Sequence, residues 1–459
     1  MFDIVIIGGG IGGLMTAYRL VTTNKNIKIA IIEQGKELNK RVCPMTLDHS
    51  VCRHCNTCAK THGIAGAGAF SDGKFNMGTA YGGTLGEELG EELTMEYINQ
   101  LDGILGKYAT DYPDMYESDD DLKLECLQNN LTLLDMNVRH LGTDKNYDTM
   151  LALYTDLKDT YGVEMMTGTT CLNIVQAQSS GAFQFLIEQA GEKYWIHAAK
   201  AVIATGRSGA DFVKKVCEKF NVGVEARAVD IGVRVEMPDL IWKKFSSKIY
   251  EPKIHYRTKT FGDSCRMFCF NQGGLVSAEN NHGIITANGH SYADKSKKTK
   301  NCNFAVLSST YFTEPFNQPT EYAESIAKMA NMIGTGKVIV QRLGDLKQGR
   351  RTTAHRLSQS TTVPTLKATP GDLSLVLPHR VLVNIIETLE ALDKVAPGTA
   401  NPDTLLYGVE SKYYSLKPKH NKNFELVDGL YLIGDGSGIC RGLSQSGAMG
   451  LYVADCINK

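Results

Sequence analysis

A run of four apolar residues followed by closely spaced glycines, near the N-terminus, constrains the fold more than any other feature of the sequence. The apolar run, Ile4–Ile7, is typical of a strand buried on both faces of a parallel sheet. Gly8, Gly10 and Gly13 follow with the spacing G-x-G-x-x-G, and the pattern predicts a helix over Leu14–Val21. Such glycines permit a tight turn, close backbone approach to a pyrophosphate, and tight helix–strand contact. The segment therefore predicts a dinucleotide site, with the phosphates at the helix N-terminus.

An acidic residue follows the second predicted strand, Ile27–Ile32. This residue, Glu33, lies twenty residues after Gly13, where a carboxylate can accept hydrogen bonds from a ribose diol and would repel a ribose 2′-phosphate. A glycine-rich turn without a ligand is the alternative explanation, and the strand and acid around the motif count against it. The residues predicted to bind this part of a dinucleotide are Gly8, Gly10, Ile11, Gly12, Gly13, Glu33 and Gln34.

The composition is that of an ordinary globular protein. The 459 residues are 42% apolar and 22% charged, with a net charge of −1, so we expect two or three domains and no nucleic-acid partner. No run of about eighteen apolar residues is present, so we expect no membrane span. The first strand begins at once, so we expect no signal peptide. Twelve cysteines then indicate reduced thiols or metal ligands in a cytoplasmic protein.

Four of these cysteines lie in a loop, residues 43–62. Cys43, Cys52, Cys55 and Cys58 have the spacing C-x8-C-x2-C-x2-C, and thiolates at two-residue intervals can converge on one metal ion or cluster. The spacing is compatible with a zinc or iron–sulfur centre, with a redox-active dithiol, or with structural thiols that carry no chemistry.

Two further segments are predicted to approach the cofactor through their backbone. The first contains Gly66, Ala67 and Gly68, whose small side chains let the chain come close to a flat or phosphorylated ligand. The second is Thr205-Gly206, which follows the apolar residues 201–204 of another predicted central strand. A flexible surface loop is the alternative for the first segment.

The middle of the chain is less informative. Residues 87–157 have a helical pattern of charged and apolar residues, and residues 163–197 alternate like a small antiparallel sheet. Residues 288–294 read NGHSYAD, in which His290 and Tyr292 are candidate proton donors for a catalytic site. The Asn288-Gly289 dipeptide is equally typical of a hairpin turn.

The C-terminal segment has a second nucleotide-site pattern. A predicted strand, residues 429–433, ends in Gly434-Asp435, and a helix with Ser444 as its cap is predicted to follow. A carboxylate at a strand end can bind a polyol hydroxyl, and a helix N-terminus can stabilise negative charge on a flavin ring. The patterns at the two ends of the chain together predict FAD.

With these residues in view, the chain resembles the two-domain FAD flavoproteins related to glutathione reductase, and within them a family of FAD-dependent dehydrogenases of unassigned substrate. The resemblance implies that Gly8, Gly10 and Gly13 hold the pyrophosphate, Glu33 the adenosine ribose, Asp435 the ribityl chain, and the glycines around Gly68 the isoalloxazine. One departure is Thr61-His62, which stands where a further cysteine is expected. The segments that carry the resemblance are Cys43-Pro44, 66–74, 288–294, 341–345, 369–375 and 433–436.

The expected fold class is α/β. We expect a Rossmann-like FAD-binding domain over residues 1–209, with a parallel sheet and a small antiparallel sheet, and an inserted α+β substrate domain over 210–414. Residues 415–459 are expected to return to the first domain. The expected function is that of an FAD-dependent oxidoreductase acting on a small organic substrate by hydride or electron transfer.

The electron donor and the role of the cysteines stay open. No second G-x-G-x-x-G follows a predicted strand, so NAD(P)H is expected only as a transient reductant, and an electron-carrier protein is the other possible donor. The alternative functions are a thiol–disulfide redox flavoprotein and an FAD-binding redox sensor, both using Cys43, Cys52, Cys55 and Cys58.

Overall fold

The structure is a computed structural model, and it describes residues 1–44, 55–135, 137–177, 181–225, 228–281, 283–291, 296, 298–313, 315–316, 318–412 and 416–459. The chain divides into two compact units. Unit 1 comprises Met1–Tyr116, Asn137–Glu225 and Ser415–Lys459, and unit 2 comprises Glu117–Met136 and Ala226–Tyr414.

The strands and helices are numbered in chain order. The strands are β1 Phe2–Ile7, β2 Ile29–Glu33, β3 Lys74–Asn76, β4 Met115–Tyr116, β5 Leu131–Leu133, β6 Val138–His140, β7 Glu164–Thr167, β8 Thr169–Gln176, β9 Phe183–Gln189, β10 Glu192–Ile203, β11 Val224–Glu225, β12 Val229–Pro238, β13 Ile254–Arg257, β14 Ser264–Asn271, β15 Leu275–Asn281, β16 Ile284–His290, β17 Asn301–Thr310, β18 Ile339–Arg342, β19 Thr369–Pro370, β20 Leu405–Lys412, β21 Lys417–Pro418, β22 Glu425–Val427 and β23 Leu430–Leu432. The α-helices are α1 Ile11–Thr23, α2 Leu85–Leu89, α3 Glu91–Tyr108, α4 Asp120–Gln128, α5 Thr143–Thr155, α6 Ala210–Lys219, α7 Lys243–Ser246, α8 Pro319–Ile333, α9 Leu343–Lys347, α10 Ala354–Ser358, α11 His379–Leu392 and α12 Leu443–Ile457.

Unit 1 is built on a sheet of order β22-β23-β10-β1-β2-β7. The four pairings from β23 to β7 are parallel, while β22 pairs with β23, and β8 with β9 and β9 with β10, in antiparallel fashion. The four apolar residues 4–7 of β1 are at most 5% exposed, because packed side chains cover both faces of this central strand. The predicted parallel sheet with a small antiparallel extension is confirmed.

Helices α1 and α12 pack closely against each other on one face of that sheet. A Cβ added to Gly450 of α12 would lie 2.3 Å from the carbonyl oxygen of Gly12 in α1. The hydroxyl of Thr16 shares its one hydrogen between the carbonyl oxygens of these two glycines, which lie 2.8 Å (Gly12) and 3.2 Å (Gly450) from Oγ1. Small residues at the contact therefore let the two helix backbones approach, and the N-terminal and C-terminal motifs become neighbours.

Unit 2 is built on a sheet of order β19-β18-β20-β12-β17-β14-β13-β5. Its pairings are antiparallel except that between β18 and β19. One face packs on an apolar core that includes residues of α11 and the fully buried Trp242. The hairpin β15–β16 forms a separate two-stranded sheet. The expected α/β class, with a mixed α and β second unit, is confirmed.

The segment 87–157 differs from its predicted helical character. It contains α3, α4 and α5, but also the short strands β4, β5 and β6. Residues 117–136 lie in unit 2, because β5 pairs with β13 in the large antiparallel sheet. Residues 210–225 lie in unit 1, although the expected border stood at 209/210. Pairing across long sequence separations leaves no local signal, so these borders could not be read from composition.

Among the helices that the structure describes, none combines the length and the apolar character needed to cross a lipid bilayer.

Candidate functional site

Each glycine of the motif has a different role in the turn between β1 and α1. Gly8 has φ +111°, and a Cβ there would lie 2.3 Å from the carbonyl oxygen of Ala204. A Cβ on Gly13 would lie 2.2 Å from the carbonyl oxygen of Gly8, so this glycine permits the helix to pack on the turn. A Cβ on Gly10 would meet no described atom within 4 Å. Gly10 therefore faces open space at the start of α1, where it caps the helix without a side-chain hydrogen bond.

Glu33, the last residue of β2, holds two glycine loops together. It is 7% exposed. Its Oε2 accepts a hydrogen bond from the N–H of Gly9 over 2.9 Å, and its Oε1 accepts from Gly35 and Gly63 over 2.8 and 2.9 Å. Glu33, the residue predicted to bind the ribose, thus also has a structural role. A carboxylate offers about four acceptor positions, so one remains for a ligand.

Arg41 is a site residue that the sequence did not reveal. Its buried guanidinium donates hydrogen bonds to the carbonyl oxygens of Ile64 and Gly66 over 2.6 and 2.8 Å, and to those of Ala59 and Lys60 over 3.0 Å each. Burial lowers the pKa of Arg41 to about 10, so the side chain stays charged at neutral pH. Bonds from a side chain to backbone carbonyls have no sequence motif, which is why this residue was missed.

The glycine-rich segment lies against the dinucleotide turn. Ala65 donates its N–H to the carbonyl oxygen of Gly9 over 2.7 Å, and a Cβ on Gly66 would lie 3.2 Å from the Cα of Gly10. Gly66–Phe70 forms a 3₁₀ turn that contains Ala67 and Gly68. Asn146 Nδ2, another residue that the sequence did not indicate, donates to the carbonyl oxygen of Gly68 over 2.8 Å.

The turns after β10 and β23 meet at the same end of the sheet. A Cβ on Gly436 would lie 3.0 Å from the carbonyl oxygen of Gly206 and 3.4 Å from the hydroxyl of Thr205. Gly434 has φ +72°, a conformation that favours glycine. The carboxylate of Asp435 is held by Arg207, whose Nε and Nη2 lie 3.3 and 3.2 Å from Oδ2. Arg207 therefore pairs with Asp435, the residue predicted to bind the ribityl chain.

The prediction that Ser444 caps the C-terminal helix is wrong. The N-cap of α12 is Gly442, which makes no side-chain hydrogen bond, because the helix begins one residue before Ser444. Ser444 is 2% exposed, and its hydroxyl has no hydrogen-bond partner among the described residues. Gln445 instead ties the helix start to residues 79–85, donating to the carbonyl oxygen of Tyr81 and accepting from the N–H of Leu85.

The described part of the cysteine loop shows no assembled metal site. Cys52 lies outside the described residues. Within the described ranges, no group of three or more His, Cys, Asp or Glu side chains is arranged to hold a metal ion, so Cys43, Cys55 and Cys58 do not form one. The predicted four-cysteine centre stays a prediction.

Cys58 has an environment different from that of the buried cysteines. Partial burial raises the pKa of its thiol, but hydrogen bonds from the Thr61 side chain and from the N–H groups of Lys60 and Thr61 bring that pKa below its usual value. Burial raises the pKa of Cys440, by contrast.

The two candidate proton donors belong to a different part of the chain. His290 is the exposed last residue of β16, in unit 2, and Tyr292 lies outside the described residues. Asn288 and Gly289 lie within β16 and pair with Ser277 and Val276 of β15, so the hairpin-turn alternative is wrong. Pairing with β15 along the whole of β16 outweighs the turn preference of the dipeptide.

The residues of unit 1 fit a dinucleotide. Gly10 leaves space at the uncapped N-terminus of α1, which is where a pyrophosphate binds in such turns. Glu33 retains one acceptor position for a ribose hydroxyl. The buried hydroxyls of Thr205 and Ser444 have no hydrogen-bond partner among the described residues, and buried polar groups in native proteins rarely stay so.

A comparison with family models finds one match in unit 2. Residues 228–413 match the model described as "FAD-dependent protein, C-terminal domain-like". No curated protein matches the chain.

Solved structures that resemble the chain are distant in sequence. Glycine oxidase from Geobacillus kaustophilus has a TM-score of 0.40 and 12% identity, with 100% of this chain and 94% of that chain covered. Glycine oxidase from Bacillus cereus has a TM-score of 0.37 and 13% identity, with 100% and 95% covered. Aklavinone-11 hydroxylase, in a complex with FAD and aklavinone, has a TM-score of 0.38 and 11% identity; 98% of this chain is covered, but the chain spans only 60% of the hydroxylase.

Proposed function

We propose that the chain is an FAD-dependent oxidoreductase that acts on a small organic molecule. The observation that carries the proposal is the meeting of three glycine-containing turns at the carboxyl ends of the parallel strands β1, β10 and β23, with Gly10 open beside the start of α1. Ligands of open parallel sheets bind at that edge. The description of the model matched by residues 228–413 agrees with FAD.

Each part of the cofactor has a set of residues proposed to hold it. The N–H groups at the start of α1 bind the pyrophosphate, and the remaining acceptor position of Glu33 binds the adenosine ribose. Asp435 binds the ribityl chain through Oδ1, since both hydrogen bonds from Arg207 go to Oδ2. The full set comprises Gly8, Gly10, Ile11, Gly12, Gly13, Glu33, Gln34, Gly66, Ala67, Gly68, Thr205, Gly206, Gly434, Asp435 and Ser444.

Three groups of unit 1 prepare the site for the flavin ring. FAD, when bound, supplies hydride or electron transfer at its ring. The N-terminus of α12, which no side chain caps, provides a positive dipole end and N–H groups that stabilise negative charge. The buried hydroxyl of Ser444 in the first turn of the same helix provides a further donor. Arg41 fixes the 3₁₀ turn that contains Gly68 by binding the loop before it.

The remaining parts of the mechanism are proposals about residues outside unit 1 and about partners. His290 or Tyr292 donates the proton that accompanies reduction of the substrate. NAD(P)H, bound transiently, or an electron-carrier protein supplies the electrons. An iron–sulfur cluster on Cys43, Cys52, Cys55 and Cys58 would favour the carrier protein, whereas a zinc ion there would be structural.

The proposal is tested on the full-length chain purified without oxygen. We expect a flavin spectrum, FAD released on denaturation in about equal amount to the protein, and bleaching by a reductant. Iron and acid-labile sulfide would identify a cluster, and zinc alone would identify a structural metal. Absence of flavin after reconstitution with FAD would contradict the proposal. The role of His290 is tested by measuring the reductive and oxidative half-reactions of His290→Ala. The control is His197→Ala, which removes an exposed histidine of β10. Half-reactions that are unchanged in both variants would rule out His290 as the proton donor.

A further inference from the structure

One face of the unit 2 sheet carries buried charges. On β12, Ile231, Val233 and Val235 point into the apolar core, so Arg234 lies on the opposite face. Arg234 and Glu410, on the neighbouring strand β20, are both 0% exposed. Arg234 Nη1 lies 3.6 Å from Glu410 Oε1. Burial of the two charges costs desolvation free energy, and at this distance no direct hydrogen bond between them offsets that cost.

Arg234 is fixed by two other residues. Its Nε donates to Asn303 Oδ1, and its Nη2 donates to the carbonyl oxygen of Cys269, both over 2.8 Å. Cys269 has φ +53° and lies where the pairing of β14 with β17 shifts register, between Phe268 and Asn271. Such a bulge turns a backbone group away from the ladder. The irregularity of β14 therefore presents a carbonyl oxygen to the guanidinium and holds it in place.

Four polar atoms of this cluster stay without a hydrogen-bond partner among the described residues. They are Nη1 of Arg234, Nδ2 of Asn303, and Oε1 and Oε2 of Glu410. A buried polar atom without a hydrogen bond is unfavourable, and native proteins usually supply ordered water or a ligand at such places. The two donors belong to Arg234 and Asn303, and both acceptors belong to Glu410. A single molecule with acceptor and donor groups can therefore bind all four atoms.

The two members of the ion pair balance each other's charge, since Arg234 carries one positive charge and Glu410 one negative charge. A ligand with net charge would disturb this balance in a buried site, whereas a molecule without net charge would not. The Lys412 side chain is 27% exposed and its Nζ lies 3.4 Å from Glu410 Oε1, so the cluster reaches the surface of unit 2 on this side.

The hairpin β15–β16 leaves little freedom on the other side. A Cβ on Gly289 would lie 1.7 Å from Arg234 Nη2 and 2.3 Å from Asn303 Oδ1. A Cβ on Gly274 would lie 3.0 Å from Asn303 Nδ2. The two glycines therefore let the hairpin backbone come close to the cluster on this side.

We propose that unit 2 contains an internal site for a small polar molecule of zero net charge whose acceptor and donor groups lie side by side, as in a zwitterionic amino acid or a primary carboxamide. The acceptor oxygen faces Arg234 Nη1 and Asn303 Nδ2, and the N–H groups face the carboxylate of Glu410. The site does not depend on the proposed flavin function, because all of its residues belong to unit 2.

The test measures binding of L-alanine and of acetamide to the full-length protein, as purified, by ligand-observed NMR. We expect saturable binding of one of the two, and no saturable binding of acetate or methylammonium, each of which has only one kind of group. Asn303→Asp should weaken binding at least tenfold, because it replaces a donor by a negative charge. Glu410→Gln should weaken L-alanine binding by a similar factor but not acetamide binding, which distinguishes the two classes.

Glu321→Gln, which changes an exposed carboxylate of α8, is the matched control and should bind like the unchanged protein. If neither probe binds saturably, or if acetate binds as well as the probes, the proposal is overturned. A high-resolution crystal structure grown with L-alanine and acetamide provides a measurement that needs no variant. A probe molecule on the four unsatisfied atoms supports the site, and ordered water alone on them overturns it.

Discussion

The carboxylate of Glu33 accepts a hydrogen bond from the N–H of Gly63 over 2.9 Å, although thirty residues separate the two in the chain. The same carboxylate binds the N–H of Gly9. An acid at the end of the second strand thus joins the dinucleotide turn to the glycine-rich loop. Its role in the fold and its proposed role toward a ribose are separable, because only the first exists without a ligand.

Replacing Glu33 by Gln is therefore expected to destabilise unit 1 even in the flavin-free protein. An amide has one acceptor oxygen, and its NH₂ group would face a backbone N–H, so we expect a loss of about 1–3 kcal/mol in the free energy of unfolding. Urea unfolding of the flavin-free chain measures it. Glu192→Gln, at an exposed position of β10, is the control. A variant with unchanged flavin-free stability would show that the three N–H bonds contribute nothing.

Replacing Arg41 by Lys should loosen the loop 59–66. An ammonium group cannot reach the carbonyl oxygens of Ala59, Lys60, Ile64 and Gly66 at once, as the planar guanidinium does. We expect faster cleavage within residues 55–66 in limited proteolysis, and weaker flavin binding. Arg351→Lys, which alters an exposed side chain, should leave the cleavage rate as it is. Equal rates in all three proteins would rule out the positioning role of Arg41.

The glycines of the N-terminal motif should respond differently to the same substitution. Gly13→Ala places a Cβ 2.2 Å from the carbonyl oxygen of Gly8, and such overpacking is expected to cost about 1–3 kcal/mol. Gly10→Ala should leave the flavin-free fold unchanged, because its Cβ meets no described atom within 4 Å and its φ is −72°. Thermal unfolding of the two flavin-free variants compares them. Equal losses would contradict the different tasks assigned to these glycines.

Stability should fall as the pH decreases from about 6.5 toward 4, in part through His255. Burial, and then the cation of Arg266, lower the pKa of His255 to about 4, against about 6.5 in an unfolded chain. Between these values the unfolded chain binds a proton that the folded chain does not, so the contribution is complete above pH 6.5 and is lost below it. Urea unfolding at pH 7 and pH 5 should show a smaller loss for His255→Gln than for the unchanged protein. His379→Gln, at an exposed position, should behave like the unchanged protein; identical losses in all three would contradict the assignment.

Local patterns predicted the central part of unit 1 because each of its features has a sequence signal. The strand β1, the glycine turn and α1 follow one another with no long-range partner needed to define them, and Glu33 lies at a fixed distance along the chain. The helix that follows Asp435 was predicted as well. Its cap was assigned to Ser444 instead of Gly442, since both residues can begin a helix and only the backbone geometry decides.

The features that the sequence did not reveal depend on tertiary contacts. Arg41 and Asn146 bind backbone carbonyl oxygens, which every residue possesses, so nothing in the sequence marks their partners. The strand β5 belongs to unit 2 only because β13 pairs with it. The cluster of Arg234 and Glu410 joins residues far apart in the chain, and a strand pattern alone could not place them side by side.

A titration of FAD into the flavin-free 459-residue chain, followed by flavin fluorescence and compared with Gly10→Val, tests the dinucleotide site at the glycine turn. A Val side chain would fill the open space at Gly10 without disturbing the flavin-free fold, which circular dichroism checks. We predict that the unchanged chain binds about one FAD and that the variant binds it at least tenfold more weakly. Failure of the correctly folded, unchanged chain to bind FAD, or equal binding by Gly10→Val, would contradict a dinucleotide site at the glycine turn.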